Sequence, residues 1–118
     1  MKTLVIGASP NPLRYSHKAI KRLRKHDIPV VAIGKRETTI VDVPVIKDKP
    51  AMTDINTVTL YVGPDNQEGY EDYIISLKPE RIIFNPGTYN RQLEEKAEKA
   101  GIETVEDCTL IMLDSGFY

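Results

Sequence analysis

"VIGASPNPLRYSHKAIKRL", residues 5–23, changes character three times within one short segment. Val5 and Ile6 continue an apolar run of strand type, Gly7 breaks it, Pro10 and Pro12 follow, and Ala19, Ile20 and Leu23 then recur at helical spacing. A strand, a glycine turn and a helix in that order place the helix N-terminus beside the strand's carboxyl end. The glycine lets the backbone turn tightly and approach a ligand with no Cβ in the way. Ser9 adds a hydroxyl, and the helix points its free N–H groups and positive dipole end into the same space. A phosphate group suits that place, although a small residue there also serves to pack strand on helix.

Working outward, the same alternation runs along the chain. Leu4 to Ile6 and Val30 to Ile33 read as buried strands, apolar without a break rather than alternating, as a parallel sheet covered on both faces requires, and Val58 to Val62, Ile82 to Phe84 and Ile102 to Val105 read as further strands. Val41 to Ile46 reads as a short edge strand, because Pro44 cannot donate to a central ladder. Gln67 to Leu77 places Tyr70, Tyr73, Ile74 and Leu77 on one helical face, and Pro79 stops it. Residues 91–100 form the clearest helix: Asn90 caps it, Glu94 and Glu95 come early, Lys96 and Lys99 late, and Gly101 ends it. Asp114 to Tyr118 is expected to fray. These units predict a doubly wound, mainly parallel α/β sheet in three layers, forming one domain over residues 1–118.

Composition narrows the function. A chain of 118 residues leaves no room for a second substrate domain. A net charge of −1 argues against a nucleic-acid binder. No segment has the apolar length that spans a bilayer or forms a signal peptide. With Cys108 alone there is no intrachain disulfide, so a cytoplasmic location is expected. No His, Cys, Asp and Glu cluster has zinc-site spacing, and no metal is expected.

In doubly wound sheets the ligand lies beyond the carboxyl ends of the strands, where the strand order reverses. The loops there carry Gly7-Ala8-Ser9, Gly34-Lys35-Arg36, Gly63-Pro64 and Asn85-Pro86-Gly87. A dinucleotide fingerprint would repeat the glycine twice more and end the second strand on an acid for a ribose hydroxyl. Here that strand ends on Lys35 and Arg36, which attract an extra ribose phosphate, as in NADP or the 3′-phosphate of coenzyme A, and disfavour plain NAD. A Walker loop is missing. A flavin mononucleotide site stays open, with Tyr15 and Tyr89 as stacking candidates.

Taken together, "VIGASPNPLRYSHKAIKRL", "VVAIGKR", "IIFNPGTYNRQLEEKAEKAGIETVED" and Cys108 in "EDCTLIM" make the chain similar, over almost its full length, to the small single-domain CoA-binding proteins of the Rossmann type, related to the CoA-binding domain of the succinyl-CoA synthetase α subunit. The resemblance implies a CoA pocket across the strand ends, with Gly7, Ala8 and Ser9 on the pyrophosphate side, Arg14 and Tyr15 flanking it, and Arg36 near the adenosine phosphates. Gly34, Lys35, Gly63, Asn85, Pro86 and Gly87 complete the candidate set. Many relatives have an Asn-Pro-Lys turn where this chain has Gly34-Lys35-Arg36.

Catalytic candidates are sparse. Glu106 and Asp107 beside Cys108 disfavour a thiolate nucleophile, so Cys108 is expected to pack beneath the sheet end. His17, in the first turn of the first helix, is expected to face solvent, and His26 to serve that helix's C-terminal dipole. The basic run from Arg14 to Lys25 can steer an anion toward the pocket. The expectation is a module that binds CoA or an acyl-CoA as sensor, carrier or subunit, with no catalytic residue assigned. A small NADP-dependent enzyme subunit and a protein-association module with a vestigial site are the alternatives. A homodimer or an unidentified protein partner stays open.

Overall fold

The computed structural model describes residues 2–118. Leu4, Val5 and Ile6 are completely buried although they point to alternate faces, so the strand that holds them must be covered on both sides. That strand, β1 (Lys2–Ala8), is the centre of a seven-stranded sheet. After it come α1 (Tyr15–Lys25), β2 (Val30–Gly34), β3 (Thr38–Ile40), β4 (Val43–Ile46), β5 (Ile55–Leu60), a 3-10 turn (Pro64–Asn66), α2 (Glu68–Ser76), β6 (Arg81–Phe84), α3 (Arg91–Lys99), β7 (Glu103–Glu106) and α4 (Thr109–Ser115). The strand order is β3-β4-β2-β1-β5-β6-β7. Only β3 runs antiparallel to its neighbour. The architecture is a Rossmann-like α/β fold, as expected.

Two apolar layers flank the sheet. On one face Leu4, Ile6, Val58, Leu60, Ile82 and Phe84 meet Ile74 of α2 and Leu93 and Ala97 of α3. On the other, Val5, Ala32 and Val45 meet Ile20 and Leu23 of α1 and Leu113 of α4. Asn90 caps α3 as predicted, its Oδ1 accepting from the backbone N–H of Gln92 at 3.1 Å and of Leu93 at 3.3 Å.

Three expectations need correction. The single edge strand over 41–46 is a hairpin, β3 and β4, paired antiparallel as Thr38↔Val45, Thr39↔Pro44 and Ile40↔Val43. Its turn starts at Val41, a β-branched residue at φ +60° and therefore the opposite of a sequence turn signal. Secondly, the segment after β7 forms α4, and the chain end does not fray. The Tyr118 ring lies under the Arg81 guanidinium, 4.5 Å from centroid to Cζ, and its hydroxyl bonds Thr3. Finally, Cys108 does not pack beneath the sheet: it is half-buried at the start of α4, its N–H donating to Asp107 Oδ1 at 2.7 Å.

Candidate functional site

The chain leaves β1 toward β2 on one side and returns to β5 on the other, so the switch point lies where β1 and β5 end. Gly7 sits there at φ +97°, where the β1–β2 register shifts between Ile6 and Ala8. A Cβ on Gly7 would stand 2.8 Å from Val62 Cγ2 and 2.9 Å from the Tyr61 carbonyl. Gly34 is needed for a different reason: its Cβ would fall 2.3 Å from the Ala8 carbonyl oxygen. Both glycines bring loops together at the strand ends.

The loop from Ser9 to Arg14 is braced from within. Ser9 Oγ accepts from the Asn11 N–H at 3.1 Å, which leaves the hydroxyl hydrogen free to donate, and Asn11 Oδ1 accepts from the Leu13 N–H at 3.0 Å. His17 corrects its expected place: it is buried, and its Nδ1 lies 2.9 Å from the Ser9 carbonyl, which can only accept, so Nδ1 carries the hydrogen. No side chain caps α1 at Arg14, and its first turn holds no acid. The N–H groups of that turn therefore point toward the cleft with their partial positive charge uncompensated.

These loops enclose a cleft of about 780 Å³ whose walls include Gly7, Ala8, Ser9, Arg14, Tyr15, Gly34, Lys35, Arg36, Gly63, Pro86 and Gly87. Ligand pockets commonly span roughly 300–1,000 Å³. Asn85 differs from the other candidates. It is buried below the cleft, where its amide donates to Thr59 Oγ1 at 2.7 Å and the Leu60 carbonyl at 2.8 Å and its Oδ1 accepts from the Thr109 N–H at 2.9 Å. Its work is to fasten β5, β6 and α4, with Thr88 Oγ1 donating to its carbonyl at 2.7 Å.

The sequence reasoning missed Ser16, Tyr61, Val62, Asn66, Tyr70 and Thr88, which also line the cleft. Tyr61 and Val62 follow directly on β5, which ends at Leu60 and not at Val62 as expected, so the sequence reading counts them within the strand and not with its loop. Asn66 and Tyr70 lie in the 3-10 turn and α2, where no local signal marks them. Tyr89 stays outside, its hydroxyl donating to Glu94 Oε1 at 2.7 Å. Burial pushes the Tyr61 phenol up to about 12, against the opposing pull of the Thr109 and Thr59 hydroxyls beside it.

Electrostatically the cleft is one-sided. Arg14, Lys35 and Arg36 line it and no Asp or Glu does, although the chain carries a net charge of −1. Elsewhere on α1 two of the bases are engaged: Arg22 pairs with Asp114, and Arg24 grips Asp42 through two bonds of 2.9 Å. Arg24 holds the Asp42 carboxyl below the ordinary aspartate range.

By its sheet order and strand-end cleft the chain is an α/β domain of the Rossmann-like class. Within that class, it belongs to the CoA binding domain family, which matches residues 1–114. Membership supports CoA binding in general. Among solved structures, an uncharacterized protein shares 43% identity, with 99% of this chain and 97% of that one covered and a TM-score of 0.96. A hypothetical protein from Pyrococcus horikoshii shares 25% identity over 96% of this chain and 81% of that one, with a TM-score of 0.86. The dinucleotide-forming acetyl-coenzyme A synthetase 1 of Ca. Korarchaeum cryptofilum, in complex with phosphate and ADP, shares the fold at 15% identity and a TM-score of 0.73, over 90% of this chain and 25% of that one. No curated protein sequence matches the chain. No helix among the described residues is long and apolar enough to cross a membrane.

Proposed function

We propose that the chain binds coenzyme A or an acyl-CoA in the cleft at the strand ends and works as a binding, sensor or carrier module. The observation that carries this reading is the cleft's charge: Arg14, Lys35 and Arg36 face it, with no carboxylate in the wall. In this reading Gly7, Ala8 and Ser9 with the open N-terminus of α1 hold the pyrophosphate, Arg14 and Tyr15 flank it, and Lys35 and Arg36 take the ribose phosphate. Gly34, Gly63, Pro86 and Gly87 supply walls without bulk, and Asn85 supports them from below.

NADP shares the extra ribose phosphate, so the discriminating experiment is calorimetric titration with CoA, NADPH, NAD and flavin mononucleotide at one salt concentration. Preferential binding of CoA, weakened at least about 10-fold by Ser9→Ala with Arg36→Ala, is expected from the loss of charge-assisted hydrogen bonds. Preference for NADPH would favour an enzyme subunit. Binding of none would leave protein association as the better reading.

A further inference from the structure

The far wall of the cleft is built from two loops that belong to different strands. Val62 and Gly63 follow β5, and Pro86, Gly87 and Thr88 follow β6. A buried glutamine bridges the two.

Gln67 is completely buried just before α2. Its Nε2 donates one hydrogen to the Val62 carbonyl at 2.8 Å and the other to the Thr88 carbonyl at 2.6 Å. Its Oε1 accepts from Asn90 Nδ2 at 3.1 Å. Every hydrogen of the side-chain amide is thus spent on the two loops of the cleft, one hydrogen for each. Asn90 Nδ2 also donates to Glu71 Oε2 at 2.9 Å, and Lys96 Nζ lies 3.0 Å from Glu71 Oε1. That buried carboxylate anchors the arrangement to α2 and α3, and its ion pair with Lys96 raises the lysine's pKa. An apolar residue of the same size would fill this space equally well, so packing alone does not call for an amide here.

We infer that Gln67 is a positioning residue that sets the width of the ligand cleft by tying the loop after β5 to the loop after β6. The inference rests on the cleft being the CoA site, and it adds the part that holds the site open to one fixed size. With their carbonyls engaged by Gln67, the two loops meet a ligand preorganised, and the ligand does not have to order them. The opposite wall, Ser9 with Lys35 and Arg36, has no bond to Gln67.

The test compares wild type with Gln67→Met, which keeps the side chain's length and removes all three hydrogen bonds. Hydrogen exchange of the ligand-free proteins and calorimetry with CoA and with adenosine 3′,5′-bisphosphate are the readouts. In Gln67→Met, residues 63–66 and 87–90 should exchange about 10-fold faster or more, together, while residues 9–14 and 35–37 are unchanged. Should this variant not fold, exchange of the wild-type protein decides: the amides of the two loops should open with one common free energy, and unequal protection of the two would overturn the inference. CoA affinity should fall about 10-fold, with the bisphosphate held within about 2-fold because its phosphates sit on the other wall. Unchanged exchange in a folded variant would overturn the inference. So would wild-type CoA affinity despite loosened loops, or equal losses for both ligands. If wild type binds no CoA, the proposed function fails, and the exchange data alone still decide whether Gln67 couples the loops.

Discussion

Three glycines of the cleft separate backbone strain from crowding, and replacing each by alanine measures the two effects apart. Gly87 has φ +85° and nothing within 4 Å of an added Cβ, so Gly87→Ala meets strain alone. A left-handed conformation costs an L-residue roughly 1–2 kcal/mol, and the stiffer unfolded chain returns about 0.4–1, leaving a net loss of about 1 kcal/mol. Gly34 is not in that region, yet its Cβ would lie 2.3 Å from the Ala8 oxygen, a backbone atom that no rotamer change can move. Overpacking of that kind costs roughly 1–3 kcal/mol, so Gly34→Ala should lose about 2. Gly7 combines φ +97° with contacts of 2.8 Å and 2.9 Å. Gly7→Ala should therefore lose about 3 kcal/mol, a large share of the roughly 5–15 that a domain of this kind possesses. Urea unfolding of the three ligand-free variants would give the order Gly87 < Gly34 < Gly7. If Gly7→Ala cost no more than Gly87→Ala, the tight approach of β1 to the end of β5 would be refuted, and with it the reason for a glycine at the switch point.

Replacing both Lys35 and Arg36 by alanine should weaken CoA binding about 10-fold or more and flatten its salt dependence, which calorimetry at two ionic strengths would reveal. Tyr61 has its folded pKa raised to about 12, so the folded state holds this proton more tightly than the unfolded chain. Stability should then be full below pH 10 and decline as pH rises toward 12, by up to about 2–3 kcal/mol for a shift of that size. Tyr61→Phe should remove this part of the alkaline loss, and an alkaline limb unchanged in that variant would contradict the assignment. Tyr118→Ala should cost about 2 kcal/mol in urea unfolding through the lost ring contact with Arg81 and the bond to Thr3; an unchanged midpoint would mean that the chain end is loose after all.

The interior of the fold was legible because its physics is local. Leu4 to Ile6, Val30 to Ile33 and Ile82 to Phe84 are uninterrupted apolar runs, which only a doubly covered parallel sheet accommodates. The hairpin of β3 and β4 was not, because its three- and four-residue strands are too short to show a period and Val41 occupies a turn position that valine normally avoids. The helix α4 escaped because Cys108 makes no side-chain cap and seven residues carry little periodicity. In the cleft, strand-end glycines and bases announced themselves by type. Gln67 and Glu71 did not, since a polar residue on a helix is ordinarily solvated, and only the folded structure shows that both are buried.

The central position of β1 has a consequence for the order of assembly. Thr3 pairs with Val30 on one side and with Thr57 on the other, so of the seven strands β1 waits longest, once synthesised, for its second neighbour. Until residues 55–60 exist, β1 is an apolar edge, open to the wrong partner, and the glycine loop after it has no opposite wall. Fragments ending before β5 should therefore aggregate and bind nothing. The cleft has both walls only once the loops after β5 and β6 exist, and a ligand that binds it at that moment would draw the chain toward the finished state by mass action.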